Sequence, residues 1–217
     1  MLEKLPDSVG HALVNQRAGM DNVVYNQLHR QRQTARLELR SRAFVFNGQL
    51  PVRFTADGAG VSPPLDWDQV PQGTSAIVMI VEDADSPTPH PLVHAIVTGL
   101  GNTAGALEEG GLASPSHEGS GLATGQNSYL QHAWLPPDPP RGHGLHRYVF
   151  QVFALGAGAP VDQAPGRRGF IDLVLGRAIG VGCLIGTYER SDRVRLDDGV
   201  ASVADGSAGL DRGAMLA

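Results

Sequence analysis

Two carboxylates stand two residues apart, Asp83 and Asp85, in the hinge between the apolar runs 76–81 and 92–97, and a histidine, His94, lies inside the second run. In an extended backbone side chains two apart share a face, so both carboxylates would project together and an imidazole on the next strand could meet them. A later run alternates cleanly: His146, Tyr148, Phe150 and Val152 face one way, and Arg147, Val149, Gln151 and Phe153 the other. It reads as a strand with a polar mouth and an apolar shaft. A histidine turned toward a carboxylate is oriented and favoured in its protonated form, which leaves its second N–H for an anion. The same residue types could also hold a divalent metal or divide acid and base roles in hydrolysis. There is, however, no HExxH, no Gly-x-Ser-x-Gly, and no serine or cysteine placed beside a histidine. The plain readings are a turn in which Asp83 and Asp85 bond their own backbone amides, and a core position for His94.

The elements that must position these groups are mostly strands. Residues 76–81 and 92–97 are dense in β-branched and apolar side chains, as strands covered on both faces are. Leu37, Leu39, Phe44 and Phe46 mark a strand pair around Ser41 and Arg42, Leu50 to Phe54 continues it, and Leu65 and Trp67 return to the core. After Leu100 a long passage rich in glycine and serine reads as a loop over the sheet edge. Pro136, Pro137, Pro139 and Pro140 surround Asp138; four prolines in five residues exclude a helix or central strand and form a stiff wall. A short helix from Phe170 to about Gly182 and a closing strand 184–189 follow.

Residues 7–33 differ from the rest. Val9, Leu13, Met20, Val24 and Leu28 recur at helical spacing, which predicts an amphipathic helix interrupted at Gly19. Its apolar stripe must be buried, either against its own domain or by exchange with a second copy in a homodimer. The expected organisation is an N-terminal helical arm over 1–34, one β domain over 35–192, and a polar tail over 193–217.

The chain has 217 residues, 28 glycines, 15 prolines and only 18% charged residues, which favours short strands and turns over a helical bundle. A net charge of −5 without a basic stripe argues against nucleic acid. One cysteine, Cys183, excludes an intrachain disulfide and suits a reducing compartment. No apolar run is long enough to span a bilayer, and cytoplasmic residence is the default expectation.

The segments EDADSPTP and VHAIV, then PPDPPRGHGLHRYVFQVFAL about fifty residues on, and LIGTYER near the end resemble the phosphatidylethanolamine-binding protein family in its bacterial form. Asp83, Asp85, Pro87 and His94 match its first motif; Pro139, Pro140, Gly142, His146, Arg147 and Tyr148 match its second. The resemblance covers roughly residues 35–190. It implies a mainly β fold, a sandwich of a large antiparallel sheet against a smaller one with short C-terminal helices, and cis prolines in the motif loops. It implies a small surface pocket for phosphate-like, anionic head groups, with Asp83, Asp85, Pro87, His94, Asp138, Pro139, Pro140, His146 and Tyr148 as ligand-binding residues. It implies no catalytic residue, metal or cofactor, and a protein partner of the kind met by kinase or protease inhibitors. Three features depart from the family pattern. Ala84 replaces a proline, Val93 and Ala95 flank His94 where tryptophan is usual, and Asp138 adds a third carboxylate that Arg141 or Arg147 would have to answer. Arg147 is expected to pair with a carboxylate, and His90, His117, His132 and His143 to lie exposed in loops.

Overall fold

The computed structural model describes residues 7–114, 118–119, 122–161 and 165–190. The tail beyond Arg190 and His117 lie outside the described residues. Three α-helices and nine strands follow in the order α1 (Asp7–Leu13), α2 (Val24–Gln31), β1 (Ala35–Arg36), β2 (Glu38–Arg40), β3 (Gly48–Gln49), β4 (Leu65–Asp68), β5 (Ala76–Asp83), β6 (Leu92–Val97), β7 (Gly105–Leu107), β8 (His146–Leu155), α3 (Arg167–Arg177) and β9 (Ala178–Tyr188).

The large sheet runs β1-β9-β8-β5-β6, with β3 also on β9; the small sheet runs β2-β4-β7. The four long strands of the large sheet pair antiparallel, and only the two-residue strands β1 and β3 run parallel to β9. The small sheet covers one face. Ile77, Met79 and Val81 of β5 and Phe150 and Val152 of β8 meet Leu39, Leu65, Trp67 and Leu107 there in the main core. The opposite face, with Val78, Ile80 and Phe153, is covered by Val24 and Leu28 of α2 and Phe170 and Val174 of α3. Both faces of β5 are therefore buried, which is why its sequence is a continuous apolar run rather than an alternating one.

Several elements differ from the reading of the residues. The segment 7–33 is not one interrupted helix: α1 ends at Leu13, the chain is extended to a 3-10 turn at Met20–Asn22, and α2 starts at Val24. Gly19 makes the break at φ 89°, a value that suits glycine. The apolar stripe of α2 is covered by the chain's own sheet, with Val24 and Leu28 fully buried. Phe46 is exposed and pairs with no strand, and Val52–Phe54 is a 3-10 turn. The supposed loop after Leu100 contains β7, the outer strand of the small sheet, where Gly105 lies so close to the Trp67 ring that a Cβ would collide with it. Finally, β9 begins at Ala178, within the stretch expected to be helical. Gly180, Gly182 and Gly186 are its open side, across which Leu37, Leu39 and Leu50 pass at van der Waals distance. The resemblance implied cis prolines, but no cis peptide bond occurs among the described residues. The wall after Pro140 instead turns through Gly142 and Gly144 at positive φ.

Cys183 of β9 is half-buried with its thiol pushed by burial up to about 12. It is therefore expected to ignore a thiol reagent at pH 8 in the native protein, and one equivalent should react once urea has unfolded the chain. Rapid native labelling would contradict this placement.

Candidate functional site

Three strand ends build the site. Asp83 closes β5 opposite Tyr148 of β8, and His146 opens β8 opposite Tyr188 of β9. In β6 the pairing passes from Val81↔Ala95 to Glu82↔Val93, so His94 is the extra residue of a β-bulge. A bulge re-aims a side chain. Here Val93 and Ile96 both pack on the helix side while Ala95 and Val97 face the small sheet, and His94 joins the latter side, against Tyr148 and Trp134.

These ends open into a cavity of about 620 Å³. Among the residues expected in the site, Asp83, Pro87, His94, Asp138, Pro139, Pro140 and His146 line it. Asp85 and Tyr148 do not. Tyr148 is fully buried one layer behind, between the rings of His94 and His146. Burial and the nearby carboxylates of Asp83 and Asp138 hold its phenol far above the usual range, so it stays protonated. Tyr129 lines the cavity and Trp134 backs His94, supplying the aromatic surface that Val93 and Ala95 lack.

Asp85 corrects the expectation of two carboxylates side by side. The chain turns after Asp83, whose Oδ1 accepts the N–H of Asp85 at 2.9 Å, and this turn swings Asp85 away from the cavity. Its carboxylate takes Arg147 Nε and Nη2, both at 2.7 Å, the Arg147 N–H at 2.9 Å, and Arg17 Nη1 at 3.0 Å. Burial alone would raise Asp85, but the hydrogen bonds from Arg147 and Arg17 outweigh it and hold the carboxyl below its usual range. A depressed carboxyl contributes stability that is present above about pH 4 and lost as pH falls through its folded value. Asp85→Asn is expected to cost about 2–3 kcal/mol at pH 7 in urea unfolding and to flatten the acid limb of the stability curve. An unchanged acid limb would contradict the clamp.

The two cavity histidines differ from each other and from expectation. His94 Nδ1 meets the Leu135 carbonyl at 2.6 Å, so it carries the hydrogen. Burial holds the ring below the ordinary imidazole range despite the charge on Asp83, so it is neutral and Nε2 is a bare acceptor. That Nε2 is buried and has no partner among the described residues. His146 does use a carboxylate: its Nδ1 donates to Asp83 Oδ2 at 2.7 Å. Its Nε2 is not free for a ligand, since it meets His143 Nδ1 at 2.6 Å. Neither ring therefore has the spare N–H that the anion reading assumed.

His143, expected in solvent, is fully buried. Its Nε2 donates to the Leu13 carbonyl at 2.8 Å and lies 3.2 Å from that of Gln16. Three contacts join Asp83, His146, His143 and the Leu13 carbonyl, and each needs one hydrogen. A carboxyl and two imidazoles that share three hydrogens are neutral as a set. Burial and the adjoining His146 hold His143 low. The third carboxylate, Asp138, lines the cavity. It pairs with Arg190, itself buried and held by Asp57 at 2.8 Å. Tyr188 donates its hydroxyl to Asp57 at 2.7 Å. Asp83 and Asp138 are thus each engaged within the protein, by His146 and Arg190.

His143, Arg190 and Leu13 were missed. His143 and Arg190 carried a signal: a histidine three residues before His146, and an arginine just past the strand end that β9 brings opposite His146.

The fold is a two-sheet β architecture with a cavity at the ends of its central strands, and a fold by itself does not define an activity. Residues 40–189 match the phosphatidylethanolamine-binding protein family, and the chain belongs to it. A UPF0098 protein of Aquifex aeolicus is 35% identical over 156 residues, covering 71% of this chain and 89% of that protein. Among solved structures, the homolog CT736 from Chlamydia trachomatis has a TM-score of 0.62 at 29% identity, covering 73% of this chain and 99% of the other. Escherichia coli YbcL, described as a new member of the mammalian family, has a TM-score of 0.61 at 25% identity, covering 71% and 98%. None of these names describes a catalytic activity. No described helix is long and apolar enough to cross a membrane.

Proposed function

We propose that this chain is a non-catalytic binding protein that takes a phosphate-like head group into the cavity together with a proton. The observation that carries the reading is the buried, unpartnered Nε2 of His94, fixed as an acceptor by the Leu135 carbonyl on the other side of the ring. A dianion finds no unpaired cation among the lining side chains described above. A monoanion bearing a P–OH group gives that hydrogen to His94 and places its charge in the cavity beside the Asp83–His146 pair. The name of the family, which couples a phosphate to an amine in one head group, agrees with a site rich in acceptors. Regulation of a protein partner by occupancy of the cavity is part of the same proposal, and so is the absence of chemistry on the ligand.

Calorimetric titration with phenyl phosphate at pH 6 and pH 8 tests it. The second ionisation of a phosphomonoester lies near about pH 6, so binding of the monoanion must tighten as pH falls and must take up close to one proton at pH 8. Absence of binding at both values overturns the reading. The hydrolase alternative makes a different prediction: steady release of nitrophenol from p-nitrophenyl phosphate, abolished in Asp83→Asn.

A further inference from the structure

The family match begins at residue 40, yet the cavity is completed by a segment that precedes it. Residues 10–19 lie as a strap across both motif loops. Gly10 sits against the Arg141 carbonyl so closely that a Cβ there would collide. The Ala18 and Gly19 N–H groups donate to the Ser86 and Ala84 carbonyls at 2.9 and 2.7 Å, which ties the strap to the first loop. Arg17 donates to the Leu145 and His143 carbonyls at 2.8 and 3.0 Å and pairs with Asp85, which ties it to the second. His143 closes the set by donating to the Leu13 carbonyl. So fixed, the Leu13 side chain forms part of the cavity wall.

We propose that Leu13 is a specificity-determining residue, and that the ligand is a phosphomonoester carrying an apolar group which packs against it. This rests on the reading of the cavity given above. A cavity of about 620 Å³ falls in the range that takes whole organic ligands, and a bare phosphate would leave most of it unfilled. Its lining holds the polar groups of Asp83, His94, Asp138 and His146 together with the hydrocarbon of Leu13, Leu92, Leu135 and Pro136. A head group held by the polar residues leaves its substituent to pack on that hydrocarbon. Leu13 is the member of this wall whose backbone lies outside the family match, so it sets what this chain accepts apart from its relatives.

The test measures the affinities of phenyl phosphate and of inorganic phosphate for the intact chain, for Leu13→Ala and for Leu13→Trp, with thermal unfolding as the check on folding. Leu13→Ala is expected to weaken phenyl phosphate about five- to tenfold and leave inorganic phosphate within twofold. Leu13→Trp, which fills the wall, is expected to exclude phenyl phosphate and retain inorganic phosphate. A ratio of the two affinities unchanged in both variants overturns the proposal while leaving the cavity reading intact. Failure of the unaltered chain to bind either probe overturns the reading itself. Co-sedimentation with vesicles containing phosphatidic acid, absent with phosphatidylcholine alone, supports the proposal with a lipid as source; phenyl phosphate binding without it supports a soluble phosphoester.

Discussion

Glu82→Ala is expected to destabilise the protein by about 3–5 kcal/mol, the range for removing one partner from a buried ionic network. Glu82 is fully buried within β5. Its Oε1 accepts from Arg167 Nε at 2.8 Å, and its Oε2 accepts from Gln151 Nε2 and from the Val24 N–H, both at 2.9 Å. Gln151 in turn accepts the Tyr25 N–H at 2.6 Å. The first two N–H groups of α2 are thus satisfied by side chains of the sheet, because Val23 at the helix start has no side-chain acceptor of its own. A carboxylate there also suits the positive end of the helix. Truncation leaves a helix N–H without an acceptor, leaves the Gln151 amide only the Val149 carbonyl at 3.3 Å, and leaves a half-covered guanidinium without its counter-charge. Glu82→Gln retains an oxygen for the helix and should cost clearly less. Urea unfolding measures both; a loss below about 1 kcal/mol for the alanine variant would show that the network is not what seats α2.

The second large effect concerns binding. His94→Leu keeps the ring's approximate volume and removes the ring nitrogen that the proposed reading gives to a P–OH group. Loss of one hydrogen bond to a charged group is worth about 1.5–3 kcal/mol, so phenyl phosphate affinity at pH 6 should fall about ten- to 150-fold. The variant should not be unstable. Its neutral ring is replaced by hydrocarbon among Trp134 and Tyr148, and only the bond to the Leu135 carbonyl is lost. The ring itself destabilises the native chain in acid. Its folded value is depressed, so stability is full above about pH 6.5 and falls as pH drops from there toward the folded value. His94→Leu should remove that part of the acid sensitivity, a readout independent of any ligand.

What the residues disclosed by themselves follows a physical division. The long strands β5, β6 and β8 were visible because burial on two faces, or on one face with a polar mouth, prints a period or an unbroken apolar run. In the small sheet the alternation at Leu37 and Leu39 marked β2, and Leu65 and Trp67 of β4 were placed in the core, but β7 hides in a glycine-rich passage because Trp67 needs an open surface opposite it. Gly180 and Gly182, in the stretch expected to be helical, belong to β9, where Gly180 and Gly186 allow the close passage of Leu37 and Leu50. At the site, Asp83, His94 and His146 were found because their spacing on strands is short-range information. The true partners of the rings were not, since Leu135, His143 and Leu13 meet them through tertiary folding: Leu135 takes a nitrogen of His94 expected to face a carboxylate, His143 takes the nitrogen of His146 expected to face a ligand, and Leu13 takes one of His143, expected in solvent. Asp85 shows the same limit: one turn after Asp83 converts a second binding carboxylate into a clamp for Arg17 and Arg147.

The central claim is that His94 presents a bare Nε2 to the cavity, and nitrogen NMR of the histidine rings reads that atom directly. In the free protein at pH 7 the account predicts a hydrogen on Nδ1 and a pyridine-like signal for Nε2, with Nε2 moving toward the hydrogen-bonded or protonated position as phenyl phosphate saturates the protein. A hydrogen on Nε2 in the free protein, or an Nε2 signal unmoved at saturation, would contradict it.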